Sequence, residues 1–453
     1  MNSTTGLYAG AAQVETTPRL GTVINGDFVP HYATSIHDPL FAKALVLRRA
    51  ETFLVFVVVD ICVMGQELLD QVKSLIQAQT GIAPENILIS STHTHAAGAV
   101  EEVHFVQADL AYRQWLPGRI VEAVDAAINR LEPALFGYGK VMAPEHLRCR
   151  RYEMEADFLP LNPVTGKADK IKTNPFGVEC KIIRPIAKPD PELSFLALKS
   201  ISGKWISVLA NYGLHYVGDW KNGTISADYF GYFARSLQAE LCAGEDFVGI
   251  MSNGTSGDVN IWDFHNPSLY PAGDFAKSAL IGSDLASKLI QKLDDIQWES
   301  DPVLGVVTDA VSLVRRMPSD QELESAKERM EEGGFEYLQA DYAGWQKLYA
   351  REQCLLAAYP VEAKVPLQCF RIGSVRIGAL PGEVFASTGL KLKEEISSPY
   401  FSITLANGNF GYIPPALELE KGGYETWRCR ISNLDGDAEQ RIRKELIRLA
   451  DSV

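Results

Sequence analysis

Ile87-Leu-Ile-Ser-Ser-Thr-His-Thr-His95 joins a short apolar run to two histidines, two residues apart. The run predicts a buried strand over 87–90. Residues i and i+2 of an extended chain share a face, so His93 and His95 can point the same way. Strand ends are where α/β proteins place their chemistry, which makes the pair a candidate metal or proton-transfer site. Upstream, Phe53-Leu-Val-Phe-Val-Val-Val59 reads as a strand buried on both faces and ends at Asp60. Residues 64–79 have helical spacing, stopped by Gly81. Together these form a βαβ-like unit, with Asp60 and His93 at neighbouring strand ends if the two strands run parallel.

The same pattern recurs further along. A hydrophobic strand ends, and an unusual polar residue follows beside Gly, Pro or Asn, at His215, Asp258, Glu383 and Tyr412. Residues 193–198 and 205–211 predict a hairpin about Ser202-Gly203. Residues 367–380 predict another, turning at Gly373-Ser374. Helices are expected over 117–130, with Pro117 at the start, and over 229–242 and 437–450. Strands are expected over 135–138, 247–251 and 401–405. Residues 144–192, rich in Pro, Lys and charge, read as a long surface excursion. Residues 318–357 read as a charged helical insertion opened by Pro318-Ser319-Asp320 and divided at Gly333-Gly334, either a lid or a solvated hairpin. The polar strand ends are spread over the whole length, so residues 1–453 are expected to form one large α/β unit with mixed sheets flanked by helices.

Composition narrows the function. The chain has 453 residues, 46% of them hydrophobic, and a net charge of −14. Nucleic acid and anionic membranes need a basic face, so neither is the expected partner. Seven scattered cysteines without a CxxC pair fit a reducing compartment better than a disulfide framework. No basic start and apolar core lies within residues 1–19, and the longest apolar run is too short to span a bilayer. A cytoplasmic protein without stable membrane insertion is expected. The oligomeric state is not legible.

Two histidines and a carboxylate on separate elements can make a zinc site with an open position. Each also has a plainer reading. A strand-end histidine such as His215 is ordinarily a hydrogen-bonded polar residue. Glu383 can serve a helix dipole. Spacing alone does not lead to Tyr412. Gly254-Thr-Ser-Gly-Asp258 is either an anion-binding nest or a tight turn. Ser256 does not sit in a Gly-x-Ser-x-Gly elbow.

In order along the chain, Thr92-His93-Thr94-His95-Ala-Ala-Gly98, Asn211-Tyr-Gly-Leu-His215, Ser226-Ala-Asp228, Pro381-Gly-Glu383-Val384, Asn407-Gly-Asn-Phe-Gly-Tyr412 and Tyr424-Glu425 resemble motifs of the neutral, non-lysosomal ceramidases, which are zinc-dependent amidases. The resemblance implies one zinc ion on His93, His215, Glu383 and Tyr412, although another divalent metal is open because N/O sites discriminate weakly. It implies His95, Arg150 and Tyr424 beside the metal or the substrate. It also implies a catalytic domain without the family's C-terminal immunoglobulin-like domain. Where the family has an essential serine after Gly-Asp-Val, this chain has Asn260, which can support an oxyanion but cannot be a nucleophile. The expected function is zinc-dependent hydrolysis of an amide or related carbonyl bond in a small or medium soluble substrate, with Asp258 or His95 as general base. The alternatives are a ceramidase-type lipid amidase, a serine hydrolase using Ser256 or Ser252 with His95, and a non-catalytic binder of a carbohydrate or lipid headgroup.

Overall fold

Strand Thr52–Val59 sends its side chains alternately into two layers. Val55, Val57 and Val59 join one hydrophobic cluster, and Leu54, Phe56 and Val58 join another. That period-2 division places a sheet in the middle of the molecule. The computed structural model describes residues 6–158, 160–333 and 341–453; Gly334 and residues 1–5 of the N-terminal reading lie outside the described residues.

Three copies of one topology build the fold. Each has three antiparallel strands, a helix, a fourth strand parallel to the third, and a closing helix. The first copy runs Leu7–Glu15, Phe41–Arg49, Thr52–Val59, helix Gln66–Thr80, Ile87–Ser91 and helix Leu110–Asn129. The second runs Glu132–Met142, Glu192–Ser200, Trp205–Tyr212, helix Asp228–Glu240, Val248–Asn253 and helix Ala276–Ile290. Leu7–Glu15 pairs with Glu132–Met142, which fuses the two copies into a nine-stranded sheet that includes Trp298–Glu299. The third copy forms a separate four-stranded sheet, Leu304–Val314, Glu362–Ile372, Val375–Leu380 and Tyr400–Thr404, followed by helix Ala438–Ser452. Helix Ala386–Glu395 lies between its last two strands.

The two sheets pack face to face. Phe56 and Phe370 meet at 4.9 Å between ring centroids within a shared cluster. Helices cover the outer faces. The architecture is therefore a mixed α/β one, with sheets flanked by helices. Among the described residues, no helix is long and apolar enough to cross a membrane.

Three expectations change. Pro117 does not open its helix; it is the eighth residue of Leu110–Asn129. The Asp109 side chain caps that helix by accepting from the backbone N–H groups of Ala111 and Tyr112, and burial of Tyr112 and Leu116 carries the extra turns. That combination outweighs the hydrogen bond a proline cannot make. Residues 144–192 are more than a surface excursion. They contain a three-stranded sheet, Ile171–Thr173, Arg151–Met154 and Ile182–Pro185, and carry Arg150 and Arg151 into the interior. In the 318–357 insertion, Ser319 and Glu322 close a capping box at helix Asp320–Glu331. Helix Tyr342–Leu356 is no solvated element: Leu348, Tyr349, Glu352 and Gln353 are buried.

Candidate metal centre

The parallel strand pairs of the three copies end side by side. Their six carboxyl ends lead into Asp60, His93, His215, Asp258, Glu383 and Tyr412. This is the crevice outside strand carboxyl ends where open α/β sheets bind ligands, here built three times.

His93 follows strand Ile87–Ser91 and sits at φ 72°, a left-handed conformation that costs a non-glycine residue of order 1–3 kcal/mol. Surrounding bonds hold it there. The His93 N–H donates to the Ile61 carbonyl (2.9 Å), and Asn253 Nδ2 donates to the Thr92 carbonyl (3.2 Å). The turn aims Nδ1 at the Cys62 carbonyl (2.9 Å). A proton on Nδ1 leaves Nε2 free as a ligand. His215 repeats the arrangement, with Nδ1 at 3.2 Å from the Ser256 carbonyl. The two Nε2 atoms then lie 3.1 Å apart, and Glu383 Oε2 is 3.5 Å from each. All three residues are buried.

Glu383 Oε2 has no hydrogen-bond partner despite that burial. A buried carboxylate oxygen without a donor is costly, and a cation between it and the two Nε2 atoms would satisfy all three. The residues present fit a divalent ion of the zinc type: two imidazoles and a carboxylate from separate elements. Tyr412 is placed by backbone pairing, in parallel register with Glu383. Gly257 lets the neighbouring turn approach closely, since a Cβ there would stand 2.5 Å from the Glu383 carbonyl oxygen.

His95 Nε2 lies 3.2 Å from His93 Nε2. Its ring stacks on Tyr216 at 3.6 Å and 18°. Gly26, at φ +111°, makes room on the other side, where a Cβ would fall 2.3 Å from the His95 ring. Burial, with His93 close by, holds both His95 and His215 well below the ordinary imidazole value. That direction favours the neutral ring, the form that ligands and proton acceptors need. At His93 burial acts the same way, but Cys62 and Glu383 outweigh it and raise the value; an ion bound at Nε2 would take the place of that second proton.

Arg150 is locked behind the centre. Its Nε donates to Glu425 Oε1 (2.7 Å), its Nη2 to the Gly257 carbonyl (2.8 Å), and its guanidinium carbon stands 5.4 Å from the Tyr412 ring centroid. Tyr424 packs edge-on against Tyr412 at 5.6 Å. Burial raises the phenol values of both tyrosines well above ordinary.

Three residues singled out by the sequence make structural bonds. Asp258 Oδ1 accepts the Ala386 backbone N–H (2.8 Å), tying its turn to the start of helix Ala386–Glu395. Asn260 Nδ2 donates to Asn174 Oδ1 (2.7 Å), while its Oδ1 accepts from the Trp262 N–H (3.1 Å). Asp60 pairs with Lys43 at 3.3 Å and accepts the Phe41 N–H. The sequence assigns no role to Cys62, whose Sγ is 3.7 Å from His93 Nδ1, and marks Glu425 only as part of a motif; in the structure Glu425 holds Arg150 and also Arg151 (2.8 Å). Cys62 follows the strand end at Asp60 by two residues, a signal that was available. The arginine partners of Glu425 come from over 270 residues away, and nothing local marks them.

A cavity of about 250 Å³ opens beside His95, lined in part by Asp27, Phe28, His31, Tyr216, Trp220 and Asn222.

Fold and site together define an α/β protein with a buried His/His/Glu centre at the carboxyl ends of its parallel strands. No sequence-family profile matches the chain. Among solved structures it is similar to a ceramidase complexed with C2, with a TM-score of 0.73 and 15% identity over 98% of this chain and 75% of that one. It is equally similar to the neutral ceramidase from Pseudomonas aeruginosa, with a TM-score of 0.72 and 16% identity over 98% and 74%. The fold is that of the neutral ceramidases.

Proposed function

We propose that this protein is a metal-dependent hydrolase of an amide or related carbonyl bond, with one ion, zinc by preference, on His93, His215, Glu383 and Tyr412. The observation that carries the reading is the buried, unpartnered Glu383 Oε2 facing two Nε2 atoms. A divalent ion there would supply a Lewis acid and an acidified water. His95 is the proton acceptor, since burial favours its neutral form, it is adjacent to His93 and it reaches the cavity. Asp258 is set aside for that role because its carboxylate holds the Ala386 N–H. Arg150, fixed by Glu425, and the Tyr424 hydroxyl bring positive charge and a donor toward a developing oxyanion. Asn260 is withdrawn from that role by its two hydrogen bonds. The substrate is proposed to be small or medium-sized and soluble, and the protein cytoplasmic.

The serine alternative is disfavoured by the bonds its hydroxyls already make. Ser256 Oγ donates to Asn253 Oδ1 (2.7 Å), and Ser252 Oγ donates to the Ala210 carbonyl (2.8 Å). Neither is bonded to His95. Ser256 Oγ does lie 3.5 Å from His215 Nδ1, but that nitrogen faces the Ser256 carbonyl at 3.2 Å, and with its proton turned there it has no lone pair to act as the serine's base. An amide library assayed with and without a chelator tests the reading. Turnover abolished by the chelator and restored by zinc is expected. Turnover indifferent to the chelator and blocked by a fluorophosphonate would overturn it.

A further inference from the structure

The cavity beside His95 has a chemistry of its own. Among the described residues, neither the Tyr216 hydroxyl nor the Trp220 indole N–H has a hydrogen-bonding partner, and both residues line it. Asn222 Nδ2 is 3.1 Å from His31 Nε2, which is itself 2.7 Å from Asp27 Oδ2. One His31 nitrogen cannot serve both neighbours at once, so donors and acceptors share one small space with aromatic walls and are not all satisfied among themselves.

That mixture discriminates between occupants. An alkyl chain would strand the Tyr216 and Trp220 donors away from water, and unmade hydrogen bonds cost more than made ones gain. An ammonium group could donate to Asp27 and the Tyr216 oxygen, but it has no acceptor for the Trp220 N–H. An anion would meet the Asp27 carboxylate. A hydroxyl both donates and accepts, so several hydroxyls match the lining. The volume, about 250 Å³, falls below the ~300–1,000 Å³ of pockets for drug-sized ligands, which calls for one compact group. Stacking of Tyr216 on His95 couples that group to the metal centre.

We propose that this cavity receives an uncharged, polyhydroxylated part of the substrate, about the size of one sugar ring. The assignment rests on the hydrolase reading for calling that group part of a substrate.

Calorimetric titration of the full chain, incubated with zinc, tests it with N-acetyl-D-glucosamine against N-cyclohexylacetamide and cyclohexylammonium. The sugar amide is expected to bind at least ~10-fold more tightly than either ring without hydroxyls, about one hydrogen bond's worth. Tyr216→Phe and Trp220→Phe, which keep the aromatic walls, should each weaken the sugar amide several-fold and leave N-cyclohexylacetamide unchanged. Equal or tighter binding of a hydroxyl-free ring, no binding of the sugar amide, or indifference to both variants would overturn the assignment. Metal content of the same samples separates the two readings. An ion retained without hydroxyl selectivity overturns this assignment alone. Hydroxyl selectivity without an ion supports the cavity assignment and counts against the metal.

Discussion

Glu425 carries one negative charge between two buried guanidinium groups, those of Arg150 and Arg151, and also accepts from Thr173 Oγ1 (2.7 Å). Burial alone would raise its carboxyl value, but the two arginines bring it below ordinary. Glu425→Gln leaves both cations under-compensated, and breaking such a pair costs about 3–5 kcal/mol. Urea unfolding should show that loss. At Asp258 the sign is opposite. Burial pushes its carboxyl from 3.8 up to about 6, so the folded protein binds more protons than the unfolded chain between those values. This contribution to stability therefore falls as pH rises from 4 to 7. Asp258→Asn keeps an acceptor for the Ala386 N–H and removes the titration. The melting temperature of the parent relative to this variant should drop across that interval, and a pH-independent difference would contradict the assignment. Glu383 and the histidines were legible because each follows an apolar run broken by Gly, Pro or a polar turn. Glu425 was legible only through the resemblance, because its function depends on tertiary partners.

Among the elements, helix Tyr342–Leu356 departs most from its sequence pattern. Glu352 reads as a solvated charge, yet it is 1% exposed and pairs with Arg430 at 2.8 Å. Trp345 meets Phe28 edge-on at 4.6 Å, and Phe28 lines the cavity beside His95. The helix thus buttresses the cavity mouth. Trp345→Ala should raise KM for a cavity-binding substrate more than it lowers kcat, because Phe28 loses its support while the histidines do not move. The opposite split in steady-state kinetics would place the helix nearer the chemistry. The preceding helix, Asp320–Glu331, depends more on its cap, since Ala326 is its one buried residue. Ser319→Ala should cost about 1 kcal/mol, read as faster amide exchange within that helix. Helix starts with a polar cap were readable here. At Leu110–Asn129 the proline misled, because tertiary burial overrode a local breaker.

At the scale of the molecule, the three copies of one topology explain why the chemistry is scattered along the chain and yet converges. Each copy delivers two strand ends to one crevice, and His93, His215 and Glu383 come from the first, second and third copies. The repeat itself was illegible. Its outer strands, such as Leu7-Tyr-Ala-Gly-Ala-Ala-Gln-Val-Glu15, carry small or mixed residues without a strong period, and the intervening segments differ in length. Phe370 joins the two sheets, so Phe370→Ala should destabilise the whole chain by about 3–5 kcal/mol.

The centre cannot form from one copy, so a metal ion should tie all three together. The most direct test is anomalous scattering at the zinc edge from crystals of the protein prepared with zinc. One peak within bonding distance of His93 Nε2, His215 Nε2 and Glu383 is the predicted result. A zinc-soaked crystal with no peak between those side chains, or with its ion held elsewhere, would contradict the account.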